Sequence, residues 1–449
     1  MKKFKLIHKI IATFLVMLMV ISGFVFPMNA DASGGREIDV TGFPGGRGYQ
    51  LFVPSGYTPG EELPLIVMLH GCQQTPMFGG LPSNVNFRNA TQMNQIAERE
   101  NFMVMYPNQP SANNANGCWN WFEPANHNRA GEAQIIVDMV RRAQRDFTVN
   151  DDAVFVAGLS AGGAKAVNLG VLYPDVFSGV ASVGGLAYQS GTTMMNALQA
   201  MSPGSTAVNP VTAARNASNR VPANARNVVP TLMLHGNSDT VVVPRASEHI
   251  ETQMLEYNRL HGAVIGNTPE NRSGTANGLN YTVRTFRDAD GDKMTEFYRI
   301  TGLDHAWSGG HGGTGRPHWA DSRGPNASSV IWEFFRETID SDDSNIYPTQ
   351  PTTAPPTQPT TAPPTQPTTA PPTQPTTAPP TQPTTAPPTQ PTTAPEFIYV
   401  RANVNQHNMA GRVPASLFFH YFSLHGPTGQ FNMYQVVGTN TWTSTRPGS

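Results

Sequence analysis

The chain has 449 residues, 39% hydrophobic and 13% charged, with a formal net charge of −2. This length accommodates one large domain with a sizeable core, and the near-neutral balance without a basic patch argues against a nucleic-acid partner.

At the N-terminus Lys2, Lys3, Lys5 and Lys9 precede an apolar run from Ile10 to Phe26. Ala30-Asp31-Ala32 then places small residues where a signal peptidase reads. Residues 1–32 are therefore expected to be a signal peptide, and an uncleaved anchor is the weaker alternative because Pro27 ends the run. No other stretch is long and apolar enough to span a bilayer, so no stable membrane insertion is expected after cleavage.

The first strand-like run is Leu63-Pro64-Leu65-Ile66-Val67-Met68-Leu69, with its proline near the start, where a strand tolerates one. It delivers His70-Gly71-Cys72-Gln73-Gln74, a glycine-containing turn. The two cysteines, Cys72 and Cys118, are an even count in a chain that looks exported, which suggests one disulfide. It would close a loop of about 46 residues, worth roughly 4 kcal/mol in the chain-entropy model. Around Cys118, the run Trp119-Asn120-Trp121-Phe122 packs aromatic rings densely along the chain, either as a core plug or as a cleft wall. Trp119 and Trp121 are taken as substrate-binding candidates. Residues 131–147 follow as an amphipathic helix.

Next comes the apolar run Ala153-Val154-Phe155-Val156-Ala157, which stops at Gly158-Leu159-Ser160-Ala161-Gly162 and continues into an Ala-rich segment. A buried strand, Gly-x-Ser-x-Gly and then a helix describe a nucleophile elbow, with both glycines required because the turn is tight. The turn aims the helix N-terminus and the Ala161 N–H at an oxyanion formed beside Ser160. In a fold of this kind the second donor comes from the turn after an early strand, and the Cys72 N–H is the candidate.

A serine hydroxyl needs a histidine base and a carboxylate that orients it. Residues 189–226 are polar, Ala/Asn/Ser-rich and poorly periodic, and are expected to insert above the sheet as a cap or loop. Val229-Pro230-Thr231-Leu232-Met233-Leu234 then reads as a buried strand, leading into His235-Gly236-Asn237-Ser238-Asp239. Asp239 thus follows a strand's C-terminal end, where such sheets place ligands. Residues 245–260 form another amphipathic helix. Asp288-Ala289-Asp290-Gly291-Asp292 resembles the opening of a calcium loop, but Arg299 stands where the bidentate Glu belongs, so a hairpin turn is expected. Glu296-Phe297-Tyr298-Arg299-Ile300 is a strand, and His305 leaves it as the base candidate. Asp304 competes with Asp239 for the acid role, but its side chain should point away from that of its neighbour His305. Trp307, close behind, is a third aromatic substrate-contact candidate. His70, His235, His311 and His318 carry no such logic and read as structural or exposed, with no metal-ligand spacing.

From Pro348 to Pro395 the octapeptide Pro-Thr-Gln-Pro-Thr-Thr-Ala-Pro repeats six times. Without large apolar side chains it cannot bury a core, and at about 3.1 Å per residue it reaches roughly 150 Å as a semi-rigid spacer. The tail beyond it is rich in Phe, Tyr and Val with Gly and Pro punctuation, and reads as short strands. The expected divisions are 1–32, a catalytic domain over 33–340, a linker over 341–395 and a short or incomplete polymer-binding module over 396–449.

Taken together, His70-Gly71-Cys72, Cys118-Trp119-Asn120-Trp121, Gly158-Leu159-Ser160-Ala161-Gly162-Gly163, His235-Gly236-Asn237-Ser238-Asp239 and Asp304-His305-Ala306-Trp307 resemble the polyhydroxybutyrate depolymerase family of esterases, whose type of catalytic domain also occurs in bacterial feruloyl and acetylxylan esterases. The resemblance covers roughly residues 35–338. It implies an α/β-hydrolase, with a mainly parallel sheet covered by helices on both faces, acting as a carboxylic ester hydrolase. It implies Ser160, Asp239 and His305 as the triad and a disulfide between the two cysteines. The tail weakly resembles such enzymes' substrate-binding module. The expected function is a secreted serine esterase on an insoluble polymer, poly(3-hydroxybutyrate) ahead of feruloyl or acetyl esters of xylan. A non-catalytic polymer-binding protein is the alternative. No cofactor or metal is called for, and a monomer is expected.

Overall fold

The computed structural model describes residues 29–30, 34–74, 87–311, 319–342, 397–403, 430–436 and 442–443. Its strands are β1 (Asn29–Ala30), β2 (Arg36–Phe43), β3 (Arg47–Val53), β4 (Leu63–Leu69), β5 (Met103–Pro107), β6 (Val149–Leu159), β7 (Gly179–Val183) and β8 (Thr231–Gly236). They continue as β9 (Glu270–Ala276), β10 (Leu279–Arg287), β11 (Lys293–Ile300), β12 (Trp307–Ser308), β13 (Ala320–Asp321), β14 (Phe397–Asn403), β15 (Gln430–Val436) and β16 (Trp442–Thr443). The helices are α1 (Phe87–Thr91), α2 (Met93–Glu100), α3 (Gly131–Asp146), α4 (Ala161–Leu172), α5 (Met194–Met201), α6 (Pro210–Ser218), α7 (Arg245–Leu260) and α8 (Ala327–Asp342).

Strand β4 shows why the sheet is buried on both faces. Leu65, Val67 and Leu69 belong to one apolar cluster and Ile66 and Met68 to another. The same alternation divides Val154 and Val156 from Phe155 and Ala157 in β6. Such near-continuous apolar runs, with both sides of the pleat buried, mark a parallel sheet sandwiched between helices. Helices α3, α4, α6 and α7 supply one layer, through Ile136, Val167, Ala213 and Ile250. Helices α1, α2 and α8 supply the other, through Phe87, Ile96 and Phe335.

Among the described residues one sheet has the order β1-β2-β3-β5-β4-β6-β7-β8-β11-β10-β9. Strands β5, β4, β6, β7, β8 and β11 run parallel, while β1 to β3 on one flank and β9 to β10 on the other pair antiparallel. This is an α/β-hydrolase arrangement, and it brings the C-terminal ends of β4, β6, β8 and β11 to one rim. The residues around Asp288 form the β10–β11 turn, closed by Asp288 N–H on the Asp292 carbonyl at 3.0 Å.

Residues 189–226, expected as a cap or loop, are largely helical. They contain α5 and α6, each started by its own cap: the Thr193 hydroxyl accepts from Asn196 N–H, and Asn209 accepts from Val211 N–H ahead of Pro210. Ala213, Ala214 and Ala217 form a narrow apolar stripe that lets α6 pack closely on α7. Local caps and small residues make these helices, not a broad amphipathic period.

Beyond the repeat, β14, β15 and β16 form an antiparallel three-stranded sheet. The stretch read as a signal peptide lies outside the described residues except for β1, which edges the sheet beside β2. Among the described residues no helix is long and apolar enough to cross a membrane.

Candidate active site

Ser160 is the hinge between β6 and α4, with φ 57° and ψ −120°. A non-glycine residue pays for a left-handed φ in strain, and such strain persists where surrounding structure enforces it. Here the enforcement is visible on both sides. Ser160 N–H donates to the Val183 carbonyl at 2.9 Å. A Cβ on Gly162 would fall 2.0 Å from the Leu69 carbonyl oxygen, and one on Gly158 would fall 2.4 Å from the Gly162 carbonyl carbon. Ala161 opens α4, so its N–H is one that the helix itself leaves unused.

The acid side is built on β8 and its loop. Asp239 Oδ1 accepts from the N–H groups of Val241 and Val242 at 2.8 and 2.9 Å, and Oδ2 lies 2.6 Å from His305 Nδ1. Burial alone would raise the Asp239 carboxyl, but the His305 ring and the His235 hydrogen bond hold it well below the usual carboxylate range. An ionised carboxylate only accepts, so the His305 proton is assigned to Nδ1 and Nε2 is left as the basic nitrogen. Among the described residues the buried Nε2 has no hydrogen-bond partner, the Ser160 hydroxyl included. The His305 ring lies against Gly184, where a Cβ would come within 3.2 Å of it, and Gly184 directly follows the Val183 carbonyl that holds Ser160. Serine–histidine contacts in unliganded sites commonly tighten only when substrate arrives. The carboxylate on the imidazole is that of Asp239, not Asp304.

The turn after β4 closes over the elbow. Gly71 N–H donates to Gln74 Oε1 at 2.7 Å, and Gln73 N–H donates to the Asn116 carbonyl at 2.8 Å. Between them the Cys72 N–H donates to nothing among the described residues. Cys72 and Cys118 form the disulfide, with Cα atoms 4.2 Å apart, tying this turn to the Trp-rich loop.

The three tryptophans separate. Trp121 lines an apolar crevice with Phe122, Leu186, Leu198, Met201 and the disulfide, and Ser160 and Ala161 form its floor. Trp119 and Trp307 correct the expectation of substrate contacts: both are buried in the core, Trp119 packed on His70 and Trp307 edge-on to Phe87 with its N–H on Ser328 Oγ at 3.0 Å. Indole rings with a satisfied or enclosed body fill core volume as readily as they line clefts, and sequence spacing does not distinguish the two. The crevice at Ser160 is tight, about 20 Å³, and Met433 of β15 belongs to the same apolar cluster. A larger depression of about 510 Å³ lies at the opposite end of the sheet, bounded by Asn150, Pro230, Arg287 and Lys293. It is remote from the elbow.

Sequence reasoning missed the polar support beneath this rim. His235 offers Nδ1 to Ser247 Oγ at 2.6 Å and Nε2 to the Val242 carbonyl at 2.8 Å, and Nε2 lies 3.2 Å from Asp239 Oδ2. It thereby braces the acid loop; its place four residues before Asp239 was the available signal. Glu132, at the start of α3, meets Arg47 at 3.0 Å, Lys165 of α4 at 3.1 Å and the Asn120 N–H at 2.9 Å. Burial opposes ionisation of Glu132, but Lys165 and hydrogen bonds from Gln109 and Asn120 keep its carboxyl below the usual range. Lys165, the one charged residue of α4, was the clue. His311 is exposed, and His318 lies outside the described residues. Among the described residues no cluster of His, Cys, Asp or Glu could hold a metal ion.

Comparison with known proteins gives the same family from several directions. The family model described as esterase PHB depolymerase matches residues 47–277, slightly more than half of the chain; Ser160 and Asp239 fall within it and His305 beyond it. Poly(3-hydroxyalkanoate) depolymerase C of Paucimonas lemoignei is 35% identical over 261 residues, covering 57% of this chain and 58% of that protein. Poly(3-hydroxybutyrate) depolymerase of Ralstonia pickettii is 26% identical over 260 residues, covering 57% of this chain and 50% of that one. The chain thus spans only about half the length of these curated relatives. Among solved structures, the acetyl xylan esterase from Aspergillus awamori superposes with a TM-score of 0.52 at 19% identity, over 67% of this chain and 99% of that one, which supports the fold.

Proposed function

The chain belongs to the esterase PHB depolymerase family, and we propose that it is a secreted serine esterase that cleaves an insoluble polyester, poly(3-hydroxybutyrate) being the first candidate. The observation that carries this reading is the Asp239–His305 pair at 2.6 Å, with a bare Nε2 beside the strained Ser160 elbow. His305 takes the Ser160 proton as Oγ attacks the ester carbonyl, and Asp239 stabilises the imidazolium. The N–H groups of Cys72 and Ala161 hold the oxyanion. His305 then protonates the leaving alkoxide, and water repeats the sequence to release the acid. Trp121, Phe122, Leu198 and Met201 offer an apolar seat for the acyl part of the substrate.

The basic-then-apolar N-terminus supports export. The long proline-rich repeat and the tail support a solid substrate, since a tethered second module raises local concentration at a surface. Xylan esters form a second reading, favoured by a 32% identity to feruloyl esterase B of Thermothelomyces thermophilus over 127 residues, 28% of this chain and 40% of that protein. Purified protein should clear polyester granules, and the Ser160→Ala variant should not. Release of ferulate or acetate from xylan without clearing would transfer the assignment to the second reading. Failure on both, with Ser160 unlabelled by a serine-directed phosphonate, would leave a non-catalytic binder.

A further inference from the structure

An aromatic residue outside the triad lies directly against its base. The indole of Trp319 meets the His305 imidazole edge to face, with ring centres 5.8 Å apart and planes at 86°. Both side chains are buried. Trp319 also stands in the left-handed backbone region, at φ 53°. The other six described non-glycine residues with such a φ are Ser, Asn or Gln, so Trp319 alone carries a bulky ring there. For a bulky side chain that backbone is an outlier, and strain of this kind gathers where function demands a fixed geometry. Ser160 is strained in the same sense on the same rim.

The loop that carries the base holds this strain in place. Trp307, two residues after His305, donates its N–H to the Trp319 carbonyl at 3.0 Å. Trp307 then pairs with Ala320 and Ser308 with Asp321 as β12 and β13. The N–H groups of Gly309 and Gly310 add bonds to the Arg323 and Asp321 carbonyls at 2.9 and 3.1 Å. Trp307 and Trp319 also share one apolar cluster, which seats the indole in the core.

What His305 gains from such a neighbour follows from its other contacts. The bond from Nδ1–H to Asp239 Oδ2 at 2.6 Å fixes one point of the ring. The ring can still pivot there, because the terminal torsion of a histidine is broad. The backbone at Gly184 closes off one direction, running so near that a Cβ would come within 3.2 Å of Nδ1 and Cε1. The indole closes off another. Together these contacts set the plane of the imidazole and therefore the aim of Nε2, the atom that takes the serine proton and returns it to the leaving alkoxide.

We propose that Trp319 is a positioning residue for ester hydrolysis, whose indole, fixed by a strained backbone tied to the base loop, sets the plane of the His305 ring. This rests on the serine-esterase reading above. Trp319 acts through the orientation of that one imidazole.

The test uses the full-length protein on a soluble p-nitrophenyl ester, with rates normalised to the serine labelled at completion by a phosphonate. A reacting group misplaced by about 1 Å can cost about 10²-fold, so Trp319→Leu should lose about 30-fold in kcat with KM within twofold. The rate of phosphonate labelling, which uses the same base, should fall in parallel. Trp319→Gly removes the ring while relieving the backbone strain, and should show the same loss. Trp319→Phe, which keeps an aromatic ring against the imidazole, should recover most of it. A ring that only fills space predicts fewer labelled serines and earlier thermal unfolding, but a full rate per labelled serine. The unaltered protein supplies a check that needs no variant: proton NMR should show cross-relaxation between the Trp319 indole and the carbon-bound ring protons of His305. An unchanged kcat per labelled serine in the Leu or Gly variant, a Phe variant no better than either, or absence of that cross-relaxation would overturn the proposal. An inactive parent protein would sink the esterase reading itself and is distinguishable from all of these.

Discussion

Burial of the Asp239 carboxyl on its own favours the protonated acid, yet the His305 ring and the His235 hydrogen bond reverse the balance and hold it ionised. Its folded pKa therefore lies below its unfolded one. A group of that kind adds stability above the unfolded value of about 4, and that contribution disappears as pH falls through the folded pKa. Thermal unfolding measured from pH 7 down to pH 3 should accordingly show a steeper acid loss in the parent than in Asp239→Asn. The same variant should lose about 10³- to 10⁴-fold in kcat, because an amide that donates to Nδ1 leaves the imidazole in the wrong tautomer. Equal acid slopes in the two proteins would remove the charged pair from the account. His235 shows a different economy at this scale: its ring braces the acid loop through Ser247, the Val242 carbonyl and Asp239 and attacks nothing.

Elements place these side chains, and their placement was legible where the strand chemistry was strong. The run 63–69 became β4 without a change of boundary, and the strand before His305 ended at Ile300 as read, while those before Ser160 and Asp239 ran on to Leu159 and Gly236. Apolar β-branched runs terminated by glycine are dictated by local sterics, so they can be seen without a structure. Helices α5 and α6 were not visible, because short caps and alanine contacts made them and neither leaves a broad apolar stripe. The positions of Trp119 and Trp307 were equally hidden, since burial depends on which layer lies opposite. The glycines of the elbow are the sharpest point at this scale. Gly162→Ala would drive a methyl group into the Leu69 and His70 carbonyls, 2.0 and 2.6 Å away, and push α4 off the end of β4. Stability should fall by about 3 kcal/mol or more, and phosphonate labelling of Ser160 should slow in step. A variant that unfolds and labels like the parent would show that the elbow has room to spare.

Across the whole molecule the informative contact is between the two ends of the chain's architecture. Met433 is buried within the apolar cluster that includes Trp121, Leu198 and Met201, and the crevice left beside Ser160 is about 20 Å³, room for roughly one water. An acyl group of several carbons needs more space than that. Met433→Ala should therefore raise kcat/KM for p-nitrophenyl butyrate several-fold, while a chain ended after Pro395 should show the same gain together with weaker clearing of granules. Unchanged rates in both would mean that β15 does not restrict the crevice. The other covalent feature of this rim has a wider consequence. Cys72 is half of a cross-link and, on the roles proposed above, also owns an N–H that stabilises the reaction. If the chain is exported as proposed, competence would arrive with oxidation: among cytoplasmic thiols its catalytic rim would stay slack until the two sulfurs pair. A cell that hoards the same kind of polymer inside itself would be protected from its own enzyme by timing alone.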